Sequence, residues 1–263
     1  MGMVSWIAYD PRSGTTWILQ RGDKAEPVIA VNKEGSVLHA FGKGLYKIPH
    51  AIGLGANGNV WTVDAGNSRI IEFAPDGLEL LHFDVRDANP TANGGFSGAT
   101  DIAFAPGGRI FISDGYVNAH ILEYTTDGKK LGEWGRAGSG PGEFDLPHCV
   151  VVDQKGGVLY VADRENGRIE KFDLSGKHLG TIGGLGRVYS LQLGAKGILW
   201  ASMSQLNQPP GSAGWIVKLD ATSGRILGHI SVHDTPALHC LAMHGDGQPM
   251  IDIGNKAVWF KPR

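Results

Sequence analysis

Residues 50–77 read HAIGLGANGNVWTVDAGNSRIIEFAPDG. Three apolar runs lie in this stretch, at 51–54, 60–64 and 69–73. Each is the length of a strand and is bounded by Gly, Asn or Asp, the residues of tight turns. The same order recurs from Thr100 and again from His148. Dipeptides that favour tight hairpins follow the third run of successive copies: Glu34-Gly35, Asp76-Gly77, Asp127-Gly128, Ser175-Gly176 and Ser223-Gly224. Aligning the copies on the glycine of the first hairpin gives six anchors, Gly14, Gly58, Gly108, Gly156, Gly197 and Gly247. Four short strands per unit at a period in the forties is the pattern of a β-propeller blade. The expectation is an all-β, six-bladed β-propeller forming a single domain over residues 1–263. The last unit stops after Val258-Trp259-Phe260 without a visible fourth strand, so the pattern leaves the closure of the ring open.

Composition agrees with many turns and narrows the function. Glycine accounts for 40 of 263 residues, and no long window has helical period. A net charge of −2 with no basic run argues against a nucleic-acid binder, which needs clustered Lys and Arg. No apolar stretch has the length of a membrane-spanning helix. The N-terminus shows no basic region followed by an apolar one, so a cytoplasmic chain is expected; an exported form with its leader removed would read the same. A monomer is expected, with the oligomeric state otherwise open. Cys149 and Cys240 are too few for a disulfide framework.

Eight residues before the anchors stand Trp6, His50, Thr100, His148, Tyr189 and His239. Histidine fills alternate blades at the start of the innermost strand, so three imidazoles should face one point on the axis from directions 120° apart. With 10 histidines in the chain, chance gives such a column well under about one time in a hundred, even if some forty columns could have been noticed. Three His with an open fourth position is the ligand set of a catalytic zinc, and other divalent transition metals accept it too. His39, His82, His120, His178, His229, His233 and His244 share no such column.

The ends of the second strands should reach the same face, because antiparallel neighbours reverse direction. They carry Arg21, Asp64, Asp114 with Tyr116, Asp163 with Arg164, and Asp252. The recurring aspartates read as loop-holding residues. Arg21, Tyr116 and Arg164 break the repeat: two guanidiniums suit a carboxylate, and a tyrosine beside a metal and an arginine could have a lowered pKa and serve as a base. Turn and inter-blade ion pairing is the alternative for these three. Gly53-Leu54-Gly55-Ala56-Asn57-Gly58 fits G-x-G-x-x-G but sits in a hairpin with no helix after it, so it does not signal a dinucleotide site.

At these positions the sequence resembles the peptidyl-α-hydroxyglycine α-amidating lyases, a family of NHL-type six-bladed propellers. The resemblance rests on Arg21-Gly22-Asp23, Pro49-His50, Ser113-Asp114-Gly115-Tyr116, Pro147-His148 and the octet from Ala162 to Ile169. It implies that His50, His148 and His239 bind zinc, that Tyr116 is the base, and that Arg21 and Arg164 surround the substrate. The implied substrate is a small-molecule or peptide α-hydroxyglycine, whose C–N bond breaks to leave an amide and glyoxylate. The family's calcium ligand, an acidic residue straight after the third histidine, is here Cys240, which puts structural calcium in doubt; its Met-Pro-His is Ala237-Leu238-His239. Two other readings stay open: a metal-dependent hydrolase or lyase of another small substrate, and a non-enzymatic propeller scaffold.

Overall fold

The computed structural model describes residues 1–86, 95–205, 212–233, 235 and 238–260. The first blade comprises β1 (Val4–Asp10), β2 (Thr15–Gln20), β3 (Val28–Val31) and β4 (Val37–Phe41); the second, β5 (Pro49–Leu54), β6 (Val60–Asp64), β7 (Arg69–Phe73) and β8 (Glu79–Asp84). Blade 3 is β9 (Ala99–Ala105), β10 (Arg109–Asp114), β11 (His120–Thr125) and β12 (Lys130–Trp134). Blade 4 is β13 (Pro147–Asp153), β14 (Val158–Asp163), β15 (Arg168–Asp173) and β16 (His178–Ile182). Blade 5 is β17 (Arg187–Leu193), β18 (Ile198–Ser204), β19 (Gly214–Asp220) and β20 (Ile226–Val232), and blade 6 is β21 (Leu241–Met243), β22 (Pro249–Ile253) and β23 (Lys256–Trp259). Every sheet is an antiparallel meander in chain order, four-stranded in blades 1 to 5 and three-stranded in blade 6. The protein is a six-bladed β-propeller.

Burial falls from the inside of each blade to its rim. β6 (VWTVD) is buried at every position, whereas β4 (VLHAF) is exposed at all but its last. Aromatic and β-branched residues fill the space between blades, where Trp61, Phe73, Phe111, Phe144 and Phe172 are fully buried. Such residues suit a pleated surface packed on both faces. Asp64 meets its loop-holding expectation: its carboxylate accepts from the backbone N–H groups of Lys47, Ile48 and Gly66 and from Asn67. Asp163 likewise accepts from the Asp145 N–H, Asn166 and Arg168.

Two features decide how the axis is lined. In blades 1 to 5 the pairing of the two innermost strands slips by one residue, and the residues left out are Ser5, His50, Thr100, His148 and Tyr189. A bulge of this kind re-aims a side chain and is common beside functional sites. The axial residue of blade 1 is therefore Ser5, not Trp6 as counting back from Gly14 suggested; Gly14 ends its four-residue hairpin loop as Gly157 ends that of blade 4, one place after the glycine used as anchor there. The ring closes without an exchanged strand among the described residues. β1 packs directly on β21 and β22, the Val4 N–H donates to Gly254 O at 2.7 Å, and the Ile7 N–H donates to Cys240 Sγ at 3.0 Å.

Candidate metal centre

His50, His148 and His239 converge on the axis, with one ring nitrogen of each within 4.8 Å of the others. Among the described residues no other group of three His, Cys, Asp or Glu is drawn together in this way. Each ring is fixed from behind by the following blade. Nδ1 of His50 lies 2.6 Å from Thr100 O, Nδ1 of His148 lies 2.6 Å from Tyr189 O, and Nδ1 of His239 lies 2.9 Å from Ser5 O. A carbonyl oxygen only accepts, so Nδ1 carries the proton and Nε2 presents a lone pair to the axis. A carbonyl behind each ring in this way fixes the tautomer and the orientation of an imidazole ligand.

The donor set fits a divalent transition metal. Nε2 of His239 and of His50 stand 3.2 Å apart with no proton between them, close to the ~3.3 Å that two nitrogens subtend across a tetrahedral zinc. Burial holds all three rings neutral. It is the first cause of the lowered pKa of each, with His239 brought to about 3; Arg21 acts in the same direction on all three and Arg164 on His148 and His239. Trp6 lies beneath the ring, its centroid 5.9, 6.2 and 5.5 Å from those of His50, His148 and His239.

Tyr116 reaches the same point from the end of β10. Its Oη is 2.7 Å from Nε2 of His50 and 3.2 Å from Nε2 of His148. The expected lowering of its pKa is not found for the protein atoms alone: burial pushes the phenol up to about 12, against the pull of Arg164 and Arg21. Arg21 donates through Nε to Pro49 O at 2.9 Å and Ser5 Oγ at 3.1 Å. Its Nη2 is buried with no hydrogen-bond partner among the described residues, a donor poised for an anion. Arg164 is more fully engaged, with Nε 2.9 Å from Glu165 and the guanidinium over the Tyr189 ring. Glu165 also holds Arg187 at 2.7 Å.

Phe96 and Tyr189 complete the pocket and were not legible as site residues. Phe96 packs on Tyr116 at 4.2 Å between centroids and lies under the Arg21 guanidinium, but it precedes β9 in an irregular segment outside the repeat. Tyr189 was in the column; its ring packs against His148 and carries the Arg164 guanidinium, while its backbone carbonyl, which no side-chain pattern can report, holds His148.

Calcium does not fit the position that the resemblance would give it. Cys240 is fully buried, its thiol is pushed well above its usual range chiefly by burial, and a backbone N–H points at its sulfur. A neutral thiol facing a donor is a poor partner for a hard cation that takes oxygen ligands. Cys149 behaves alike, accepting the Leu191 N–H at 3.2 Å. Both cysteines are free. Ala237 lies outside the described residues.

A family model described as a 6-bladed beta-propeller matches residues 96–206. A peptidyl-glycine alpha-amidating monooxygenase of Mus musculus is 36% identical over 153 residues, covering 55% of this chain and 15% of that protein. A Caenorhabditis elegans protein named as a probable peptidyl-alpha-hydroxyglycine alpha-amidating lyase is 29% identical over 148 residues, covering 55% of this chain and 42% of that one. The human NHL repeat-containing protein 3, whose name carries no activity, is 28% identical over 185 residues, covering 65% and 52% of the two chains. The chain thus spans less than two thirds of the length of each of these relatives. The chain is a six-bladed β-propeller similar to proteins named as peptidyl-alpha-hydroxyglycine alpha-amidating lyases.

Proposed function

We propose that the chain is a zinc-dependent carbon–nitrogen lyase that splits an α-hydroxy-N-acylglycine, small or peptidyl, into an amide and glyoxylate. One observation carries the reading: three proton-free imidazole nitrogens meet at a point where Tyr116 Oη also sits, and an unpartnered guanidinium nitrogen of Arg21 is buried in the same pocket. His50, His148 and His239 would hold a divalent ion, which would supply Lewis acidity and a positive charge favouring the phenolate of Tyr116.

The protein's own residues do the rest. Arg21 takes the substrate carboxylate, the group that leaves in glyoxylate, and Arg164 adds positive charge on the opposite side. Tyr116 Oη receives the proton of the carbinol hydroxyl. The C–O bond becomes the aldehyde C=O, the C–N bond breaks, and its electron pair stays on the amide nitrogen, which takes up a proton. Trp6 below and Phe96 beside Tyr116 keep water from the reacting carbon.

The test is metal content together with turnover of α-hydroxyhippurate. Wild-type protein is expected to hold about one zinc per chain and to release glyoxylate, and His148→Ala to lose both while keeping its β-sheet circular dichroism. A His148→Ala chain that turns over substrate at the wild-type rate would end this reading.

A further inference from the structure

The two arginines of the site are anchored by different means. Arg21 is held through Nε by neutral acceptors, Pro49 O and Ser5 Oγ. Arg164 is held through Nε by a carboxylate, Glu165 Oε1 at 2.9 Å, and the other oxygen of that carboxylate takes Nε of Arg187 at 2.7 Å. Glu165 therefore ties a site residue on the loop after β14 to the first residue of β17 in the next blade. Arg164 and Glu165 are both mostly buried, where an ion pair is screened less than at an open surface.

Both ends of this tie lead to the histidine ring. The Arg164 guanidinium lies 5.4 Å from the centre of the Tyr189 ring, which packs against His148 and His239 at 5.9 and 6.5 Å between centroids. Arg187 stands two residues before Tyr189, whose carbonyl holds Nδ1 of His148. The main chain of the loop is pinned as well. The N–H of Arg164 donates to Leu146 O at 3.2 Å, that of Glu165 to Asp145 O at 3.0 Å, and that of Gly167 to Arg164 O at 3.2 Å. With the backbone fixed, the direction of the Arg164 side chain is set by what its guanidinium meets.

Charge explains why that partner is needed. Arg21 and a divalent ion on the three imidazoles would both put positive charge into the pocket, and like charges repel strongly where water is scarce. An unpaired Arg164 would turn outward to water, or toward the substrate carboxylate that Arg21 takes. Glu165 offsets the repulsion and fixes the guanidinium. We infer that Glu165 is a positioning residue: with Arg187 as its second anchor, it holds Arg164 beside the ring as a fixed charge for the transition state and leaves carboxylate binding to Arg21. The inference rests on the α-hydroxy-N-acylglycine reading.

The experiment compares wild type with Glu165→Ala, Glu165→Gln and Arg187→Ala by two measurements. One is kcat and KM for α-hydroxyhippurate. The other is the NMR signal of the Arg164 Nε–H group, assigned by its loss in Arg164→Lys. Glu165→Ala should lower kcat at least about tenfold, with KM within about twofold of wild type, zinc content unchanged and the Arg164 signal lost. Glu165→Gln, which keeps an acceptor for one guanidinium, should recover part of kcat. Arg187→Ala should lower kcat less than Glu165→Ala, and adding it to Glu165→Ala should cost nothing further, because both act through one carboxylate. A tie that only joins the blades predicts a lower melting temperature with kcat intact, and that result overturns the inference. So does a raised KM with kcat intact, or an Arg164 signal that survives Glu165→Ala. The lyase reading is judged separately: a wild-type chain that releases no glyoxylate sinks it, and the Arg164 signal then decides alone whether Glu165 holds the arginine. Full turnover in Glu165→Ala keeps the lyase and removes the positioning role.

Discussion

The even-numbered and odd-numbered blades contribute to the axis in different currencies. Blades 2, 4 and 6 supply imidazole rings, and blades 3, 5 and 1 supply the backbone carbonyls that hold them, from Thr100, Tyr189 and Ser5. The even blades therefore depend on one side chain each. The odd blades depend on a backbone position, fixed by the bulge at the start of the inner strand, and their side chains are free for other work. Ser5 and Thr100 use theirs as inter-blade ties: Ser5 Oγ donates to Pro49 O at 2.7 Å, and Thr100 Oγ1 to Pro147 O at 3.0 Å.

This difference makes predictions of decreasing size. The largest concerns Tyr116, a blade 3 residue that breaks the division because its side chain enters the ring. Tyr116→Phe should lower kcat by about 10²–10⁴-fold, the range for loss of a general acid–base group, with metal content unchanged. A kcat within a few-fold of wild type would return Tyr116 to a packing role.

Asp101, next to Thr100, sharpens the comparison through stability. Its carboxyl is buried, accepts the Val150 N–H at 3.1 Å, and is raised to about 7, chiefly by burial. The folded chain then keeps a proton that the unfolded chain releases near 3.8. The folded state binds more protons between those values, so this group's contribution to stability falls as pH rises from about 4 to about 7 and is level above. In Asp101→Asn that fall should vanish, by up to about 4 kcal/mol across the window. Denaturant melts of both chains at several pH values measure it, and a pH-independent difference would contradict a protonated Asp101.

The smallest effect tests the division itself. Thr100→Val deletes one tie and leaves the carbonyl that orients His50. It should cost about 1 kcal/mol of stability and leave zinc content at the wild-type level. Loss of metal in this variant would mean that odd-blade side chains, and not only their backbone, build the ring.

The even half of this arrangement was legible in the sequence and the odd half was not. His50, His148 and His239 stand at fixed offsets from hairpin glycines, and a repeat with one orientation per blade turns equal offsets into equal positions around the axis. Trp6 shows the limit of counting: a turn glycine one place further along its hairpin puts the count on the residue under the ring, where it packs against all three imidazoles. Phe96 lies in a segment with no repeat partner, so no offset could have found it. The doubt over calcium at Cys240 could be raised from one residue, but the N–H of Ile7 facing the sulfur belongs to a strand more than two hundred positions away.

The sequence by itself determined the architecture, the three histidines and the residues that break the repeat, because each is a periodic signal or a departure from one. Tertiary structure alone decided which imidazole nitrogen faces the axis, since that depends on carbonyls supplied by the next blade. It also decided that Arg21 keeps an unpartnered donor while Arg164 is shared with Glu165, and that Tyr116 is raised by burial rather than lowered by its cations. Ring closure belongs to the same class. Blade 6 has three strands among the described residues, and the joint is made by β1 packing on β21 and β22, a contact between distant parts of the chain that no local pattern encodes.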